Sequence, residues 1–290
     1  MPQTRLFRTA PRIEAERLFE TVESALEDDG VPAAIAETFD DSGIFEISLY
    51  ADAGEVPGLR AKIAGALGVA EDALDFAEEP VPDIDWVTKS LEGLGAVRAG
   101  RFIVHGGHQR AAVTPGRIGI QIEAGQAFGT GHHGTTSGCL IMLDRLIARR
   151  RPARSLDLGA GSAVLAIAIA KRARTPVLAT DIDPVATRVA NANARLNGVA
   201  GLVRCETASG LAHRAFAERG PFDLIVANIL ARPLMVMAPA IARHLVPGGD
   251  LVLSGILTRQ RRKVLAAYRQ AGLRHCRTIE RDGWVTLHLR

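Results

Sequence analysis

Residues 155–183 read SLDLGAGSAVLAIAIAKRARTPVLATDID, and this stretch decides the fold. SLDLGAG is an apolar strand entering a glycine turn, SAVLAIAIAKRA an apolar helix, and PVLATDID a second buried strand ending on acid. The pattern continues with the helix PVATRVANANARLNG, which has Pro184 in its first turn and Gly198 past its end. VRCE, FDLIVANIL and GDLVLSGI are further strands, each separated from the next by a helical stretch. Strands alternating with helices predict a doubly wound, mostly parallel α/β sheet with helices on both faces. The last residues, HCRTIERDGWVTLHLR, depart from that rule. They read as an antiparallel hairpin around Asp282-Gly283 at the sheet's edge.

The turn carries the first chemistry. Gly159 and Gly161 sit between a buried strand and a helix, where a bare backbone lets a ligand approach and the helix N-terminus favours acceptors. Asp181 lies 22 residues beyond Gly159, at the end of the next strand, where a carboxylate can accept both hydroxyls of a ribose. Tight turns also use glycine for packing alone, but the series strand, turn, helix, strand, acid points to a nucleoside cofactor. A nicotinamide fingerprint requires a glycine where Val164 stands, and no Gly-Lys-Ser/Thr follows to make a phosphate loop. The turn resembles Asp-x-Gly-x-Gly-x-Gly of class I methyltransferases, which bind S-adenosylmethionine. Asp157, Gly159 and Gly161 match it, and Ala163 replaces the last glycine.

VANILARPL follows the fourth strand of the alternating series, at the edge where open α/β sheets bind ligands. Asn228-Ile229-Leu230-Ala231 looks like a variant of the Asn/Asp-Pro-Pro-Tyr motif of amino-methyltransferases. The Asn228 amide oxygen and the neighbouring main-chain carbonyl of Ile229 are the candidate acceptors for a target amine. An asparagine at a strand end is otherwise often a simple turn former.

The region before residue 100 has a different character. Residues 1–100 carry 21 Asp and Glu against 8 Lys and Arg, a balance of −13, while the remainder carries 11 against 27, or +16. Both can be ordinary solvated surfaces, or the first can be an acidic module for a basic partner and the second a module for an anionic ligand. RLFRTA reads as a strand, and PRIEAERLFETVESALEDDG as a helix with Pro11 near its start, apolar residues at Ile13, Leu18, Val22 and Leu26, and Gly30 as its stop. AAIAETF and GIFEISLYA are strands, VPGLRAKIAGALGV a helix and ALDFAEE a last strand. The order βαββαβ is the ferredoxin-like arrangement. Domain limits are expected at 1–79 for this α+β unit, 80–97 for a Pro- and acid-rich linker with a short helix, and 98–290 for the nucleotide fold. GRFIVHG and RIGIQIEAG read as strands opening the second domain.

Hydrophobic residues make up 47% of the 290, enough for a proper core. No secretory signal or membrane span is legible, and Cys139, Cys205 and Cys276 are isolated, which suits a reducing compartment. A cytoplasmic monomer is expected. AFGTGHHGTTSGC, residues 127–139, is too small-sided to read as core and too polar for a strand.

Taken over nearly its full length, the chain resembles the methyltransferases of large-subunit ribosomal protein L11 (PrmA family). The stretches that carry the resemblance are DWVTKS, VRAGRFIVHG, AFGTGHHGTT, LDLGAGSAVLAIA, DIDPVA, VANILARPL and LVPGGDLVLSGIL. AFGTGHHGTT is the specific one, because generic methyltransferases lack it. The family usually reads Gly-Thr-Gly-Thr-His-Pro-Thr-Thr there, so His132 and Gly134 depart from the pattern. The resemblance implies that this segment, from Thr130 to Thr136, covers bound S-adenosylmethionine, with Thr136 touching it and Gly159, Asp181 and Asn228 as further contacts. It implies trimethylation of lysine ε-amines and of the N-terminal α-amine of ribosomal protein L11, which the first domain recognises. A metal site of His105, His108, His132 and His133 is rejected, since no acid or cysteine completes a ligand set. Other readings are a lysine methyltransferase for another protein, a non-catalytic ribosomal-protein-binding module, and a nucleic-acid methyltransferase. The last fits poorly, because an RNA enzyme would append a basic domain and this one is acidic. Neither nucleic acid nor membrane is expected as a partner.

Overall fold

Residues 3–26, 31, 33–38, 43–80, 96–122 and 134–290 are described by a computed structural model of the chain, which divides into the units Met1–Ile84 and Asp85–Arg290. The first unit runs β1 (Gln3–Pro11), α1 (Arg12–Ala25), β2 (Ala33–Glu37), β3 (Ile44–Asp52), α2 (Val56–Leu67) and β4 (Ala77–Pro80). Its sheet has the order β2-β3-β1-β4, antiparallel throughout, which is the ferredoxin-like topology the sequence pattern predicts. Leu6, Ile47 and Leu49 of the sheet are fully buried with Val22 of α1 and Ile63 of α2. Burying such side chains contributes about 1.5–3 kcal/mol each, which is what holds two short helices on a small sheet.

Two details differ from the pattern reading. Ile13 is 75% exposed, and α1 packs through Ala15, Leu18, Val22 and Leu26 instead. At 100° per residue those four share one stripe, and Ile13 falls on the opposite side. The last strand is also shorter than ALDFAEE suggests. Glu71–Ala73 form a 3₁₀ turn, and pairing with β1 begins only at Ala77. Of the expected linker, Pro80 ends β4 and Val97 begins the next strand, while residues 81–95 and the helix expected within them lie outside the described residues.

In the second unit, β5 (Val97–Ala99), β6 (Phe102–His105) and β7 (Ile118–Gln121) make a separate three-stranded sheet, in that order. The strands that open the unit therefore do not join the main sheet. The helix α3 (Gly134–Arg149) follows, then β8 (Ser155–Leu158), α4 (Val164–Ala173), β9 (Val177–Asp181), α5 (Pro184–Leu196) and β10 (Val203–Thr207). The chain continues through α6 (Arg214–Arg219), β11 (Phe222–Asn228), α7 (Ala231–His244), β12 (Leu245–Leu257), α8 (Arg261–Gln270), β13 (His275–Arg281) and β14 (Trp284–Leu289).

The main sheet has the order β10-β9-β8-β11-β12-β14-β13. The first five strands are parallel, and β14 and β13 add antiparallel at the edge. Asp282 and Gly283 both have positive φ, 50° and 77°, as the tight two-residue hairpin turn demands. Alternate residues of β11 feed opposite cores: Leu224 and Val226 pack with α3, α4 and α5, and Ile225 and Ala227 with α6, α7 and α8. The sheet is thus covered on both faces, which is why its strands read as continuous apolar runs. Because β8 and β11 are neighbours while β9 lies on the far side of β8, the chain reverses direction of winding at β8. That switch point is where an open α/β sheet leaves a crevice.

Candidate active site

The glycine turn leaves β8 at that crevice. Gly159 and Ala160 both donate their N–H to the Thr180 carbonyl of β9, at 2.8 and 2.9 Å, which pins the turn to the neighbouring strand. Gly159 has φ 72°, and a Cβ on it would fall on the Cγ2 methyl of Ile229. The glycine turn and the Asn-Ile-Leu-Ala segment therefore pack directly on each other. Only a residue without a side chain permits that approach.

Asp181, at the end of β9, faces the same turn. Its Oδ2 accepts from the Gly161 N–H at 2.8 Å and its Oδ1 from the Asp183 N–H at 3.0 Å. Two backbone bonds fix the carboxylate while a carboxylate's remaining lone pairs stay available to further donors. Asp183 in turn caps α5, accepting from the Val185 N–H at 2.7 Å, with Pro184 in the first turn. Ile182, between the two acids, is 72% exposed, a large apolar side chain presented beside the turn. Its signal in the sequence was only its place inside DID.

Asp157 does something else. It is 1% exposed beneath the turn, and its Oδ2 accepts from the Ala166 N–H of α4 at 2.8 Å. Its Oδ1 is buried with no hydrogen-bond partner among the described residues. Burial pushes its pKa up to about 7, with Asp181 adding to the rise and the Ala166 bond opposing it. Asp157 thus ties β8 to the first turn of α4 from below.

Asn228 closes β11 beside Ser254 of β12, and its Nδ2 donates to Thr136 Oγ1 at 3.3 Å. Thr136, 1% exposed, lies in the first turn of α3. Two residues 92 positions apart are joined, and the bond fixes which way the amide oxygen points. The residues from Gly134 to Cys139 are all buried, which corrects the reading of this stretch as too small-sided for core. Small side chains are what let α3 lie close on β12 and β14: a Cβ on Gly138 would meet Thr286 Oγ1. Beneath them Ser254 Oγ bonds the Val285 carbonyl at 3.2 Å, lies 3.1 Å from Thr286 Oγ1, and reaches the Thr135 carbonyl at 3.4 Å. Cys139 packs there too, its thiol pushed up to about 12 by burial.

The Ile229 main chain rests on Gly255 of β12, which has φ 80° and where a Cβ would overlap the Ile229 carbonyl. The register of β12 against β14 shifts between Leu253 and Ile256, so Gly255 sits in a bulge. A lone glycine inside the strand pattern LVLSGIL was the available signal for this close approach.

Thr130, His132 and His133 lie outside the described residues. His105 is buried, with Nδ1 2.8 Å from the Gly106 carbonyl. Among the described residues no group of three or more His, Cys, Asp or Glu could hold a metal ion, and no helix is long and apolar enough to cross a membrane.

Set beside known proteins, residues 20–290 match the family model described as ribosomal protein L11 methyltransferase (PrmA). A curated protein of that name from Mesorhizobium japonicum is 57% identical over 290 residues, covering 100% of both chains. Its counterpart from Chelativorans sp. is 55% identical over 293 residues, again covering 100% of both. Among solved structures, the ribosomal protein L11 methylase of Lactobacillus delbrueckii subsp. bulgaricus is 30% identical with a TM-score of 0.62, covering 68% of this chain and 98% of that one. The fold is that of class I methyltransferases, and the chain belongs to the ribosomal protein L11 methyltransferase family.

Proposed function

We propose that this protein transfers methyl groups from S-adenosylmethionine to amines of ribosomal protein L11, namely lysine ε-amines and the N-terminal α-amine, in the cytoplasm. The observation that carries the reading is the bond from Asn228 to Thr136, set beside a glycine turn that Asp181 braces. The residues suit the cofactor. The turn is bare of side chains at Gly159 and Gly161, Asp181 offers acceptors for the ribose hydroxyls, and the exposed Ile182 offers apolar surface to a base. S-adenosylmethionine, when bound, supplies a methyl group on a positively charged sulfur that leaves as a neutral thioether.

The protein's part is alignment. Asn228 Oδ1, oriented by the Nδ2 bond to Thr136, accepts an N–H of the target amine and aims its lone pair. Ile229, with its side chain against Gly159 and its main chain against Gly255, holds the segment that carries Asn228, and its carbonyl is the second candidate acceptor. Holding the reactants in line can remove on the order of 7–11 kcal/mol from the barrier. A lysine has to be neutral to attack, although its free pKa is about 10.4. A partly dry site with carbonyl acceptors favours the neutral amine, and the proton leaves to water.

The acidic first unit reads the substrate. At −13 over residues 1–100 it suits a basic protein, and its ferredoxin-like sheet and helices offer a recognition surface. The deciding test is mass spectrometry of L11 incubated with the purified protein and S-adenosylmethionine. Mass gains in steps of about 14 Da, one step per methyl, on lysines and the N-terminus are expected; an unmodified L11 would refute the assignment.

A further inference from the structure

The helix α7 leaves the catalytic strand end directly, and it is apolar on two sides. Ala231, Leu234, Ala238 and Ile241 face the sheet and are buried. Residues 233–242, PLMVMAPAIA, contain no polar side chain, although one side of this helix meets solvent. Pro233, Val236 and Pro239 are exposed, and Leu230, which caps the helix next to Asn228 and Ile229, is 61% exposed. Val236 is 75% exposed. A surface helix ordinarily turns charged or polar residues outward, so a second apolar stripe is surface awaiting a cover.

We propose that this outer face of α7 is a docking surface for the methyl-acceptor protein, gripping aliphatic side chains that flank the target amine. The inference rests on the reading that a protein amine is the acceptor. Continuity identifies the occupant. The stripe begins at Leu230, two residues after Asn228, and at 1.5 Å per residue Pro239 lies about 14 Å further along the helix. That distance is well inside the footprint of a small protein whose lysine has entered the site. The chemistry agrees. From Asn228 to His244 there is no Asp or Glu, and exposed Arg232 and Arg243 border the stripe at its two ends, so what the face between them offers a basic protein is apolar contact, with charge attraction left to the acidic first unit. Met235 and Met237 flank the stripe, half-buried, and their flexible thioethers suit a surface that must accept more than one sequence around different amines. Pro239 adds a backbone feature: it has no N–H to return to the Met235 carbonyl, an acceptor a partner can use.

The test compares the full-length protein with Val236→Asp and Val236→Gln, neither of which touches the glycine turn or Asn228. Initial rates are measured against intact L11 at saturating S-adenosylmethionine, with thermal unfolding and cofactor affinity as controls. The expected result is a KM for L11 raised about fivefold or more in Val236→Asp, and less in Val236→Gln, with kcat, cofactor affinity and unfolding unchanged. A KM equal to wild type overturns the docking face while leaving the enzyme's reading intact. Wild-type protein that dimerises through Val236, becoming monomeric in Val236→Asp with unchanged KM, overturns it in favour of self-association. A wild type that leaves L11 unmethylated overturns the substrate reading and the docking face with it.

Discussion

Asp157→Asn tests how the glycine turn is held from beneath. The wild-type carboxylate is buried, receives one bond from the Ala166 N–H, and has its pKa raised from 3.8 to about 7, chiefly by burial. A folded-state pKa above the unfolded one means that the native protein binds the proton more tightly. Stability from this group is therefore fully present below about pH 4 and is lost as pH rises through 7. Between pH 5 and pH 7 the folded carboxyl keeps its proton while the unfolded one is ionised. Stability then falls by about 1.4 kcal/mol for each step of one in pH, a loss on the order of 3 kcal/mol by pH 8. Asparagine has nearly the same shape, keeps an oxygen for Ala166, and does not titrate. Urea unfolding of the cofactor-free protein at pH 5 and pH 8 should show the variant gaining on wild type by about that amount at the higher pH. Other titrating groups are common to both chains and cancel in the difference. A stability difference that is the same at pH 5 and pH 8 would show that Asp157 is not carrying a buried charge, and the account of the turn would fail with it.

Asp181→Ala should weaken S-adenosylmethionine about a hundredfold by calorimetry, since two hydrogen bonds to a charged acceptor are lost; unchanged affinity would remove Asp181 from the ribose site. Asn228→Ala should lower the single-turnover rate about a hundredfold while leaving L11 affinity near wild type, because alignment rather than contact area is lost, and a wild-type rate would exclude it as the amine's guide. A chain beginning at Val97 should still bind S-adenosylmethionine yet lose methylation of L11, and equal rates with and without residues 1–96 would leave the acidic surface as plain solvation.

The two sheets were legible because their signals are local. The alternation after Ser155 predicts the doubly wound sheet, and Asp282-Gly283 marks the hairpin through the positive φ that both residues adopt. Asp181 could be placed by spacing alone, because a parallel strand ends at a predictable edge. What stayed hidden was long-range or steric. Nothing near Thr136 announces a partner 92 residues on, since a threonine in a helix's first turn is unremarkable by itself. Residues 134–139 belong to a stretch that read as too small-sided for core, because small side chains carry little apolar surface until a neighbouring strand is seen against them. Ile13 stands among the apolar residues of the helix pattern, but its phase around α1 leaves it in solvent. GRFIVHG and RIGIQIEAG were legible as strands opening the second domain, but not as a sheet of their own, since strand signals say nothing about which sheet a strand will join.

The antiparallel hairpin matters to the chemistry more than its place at the edge suggests. β14 supplies Thr286 and the Val285 carbonyl, and β12 supplies Ser254; together they form a polar floor under the first turn of α3. That floor is buried, so each of its groups has to be satisfied, and the arrangement admits little sliding of α3 along the sheet. Gly138 lets the helix come down onto Thr286, and Gly134 lets it meet the hairpin turn, where a Cβ would stand 2.9 Å from the Arg281 carbonyl. Gly134 occupies a place where the family pattern usually has proline, so in this chain the hairpin and the helix start can press closer than a ring there would allow. With α3 held, Thr136 is held, and through it the amide of Asn228. A purely parallel nucleotide-binding sheet would end at β12 and leave α3 without this seat. The two extra strands thus give α3 its seat, and with it the bond between Thr136 and Asn228.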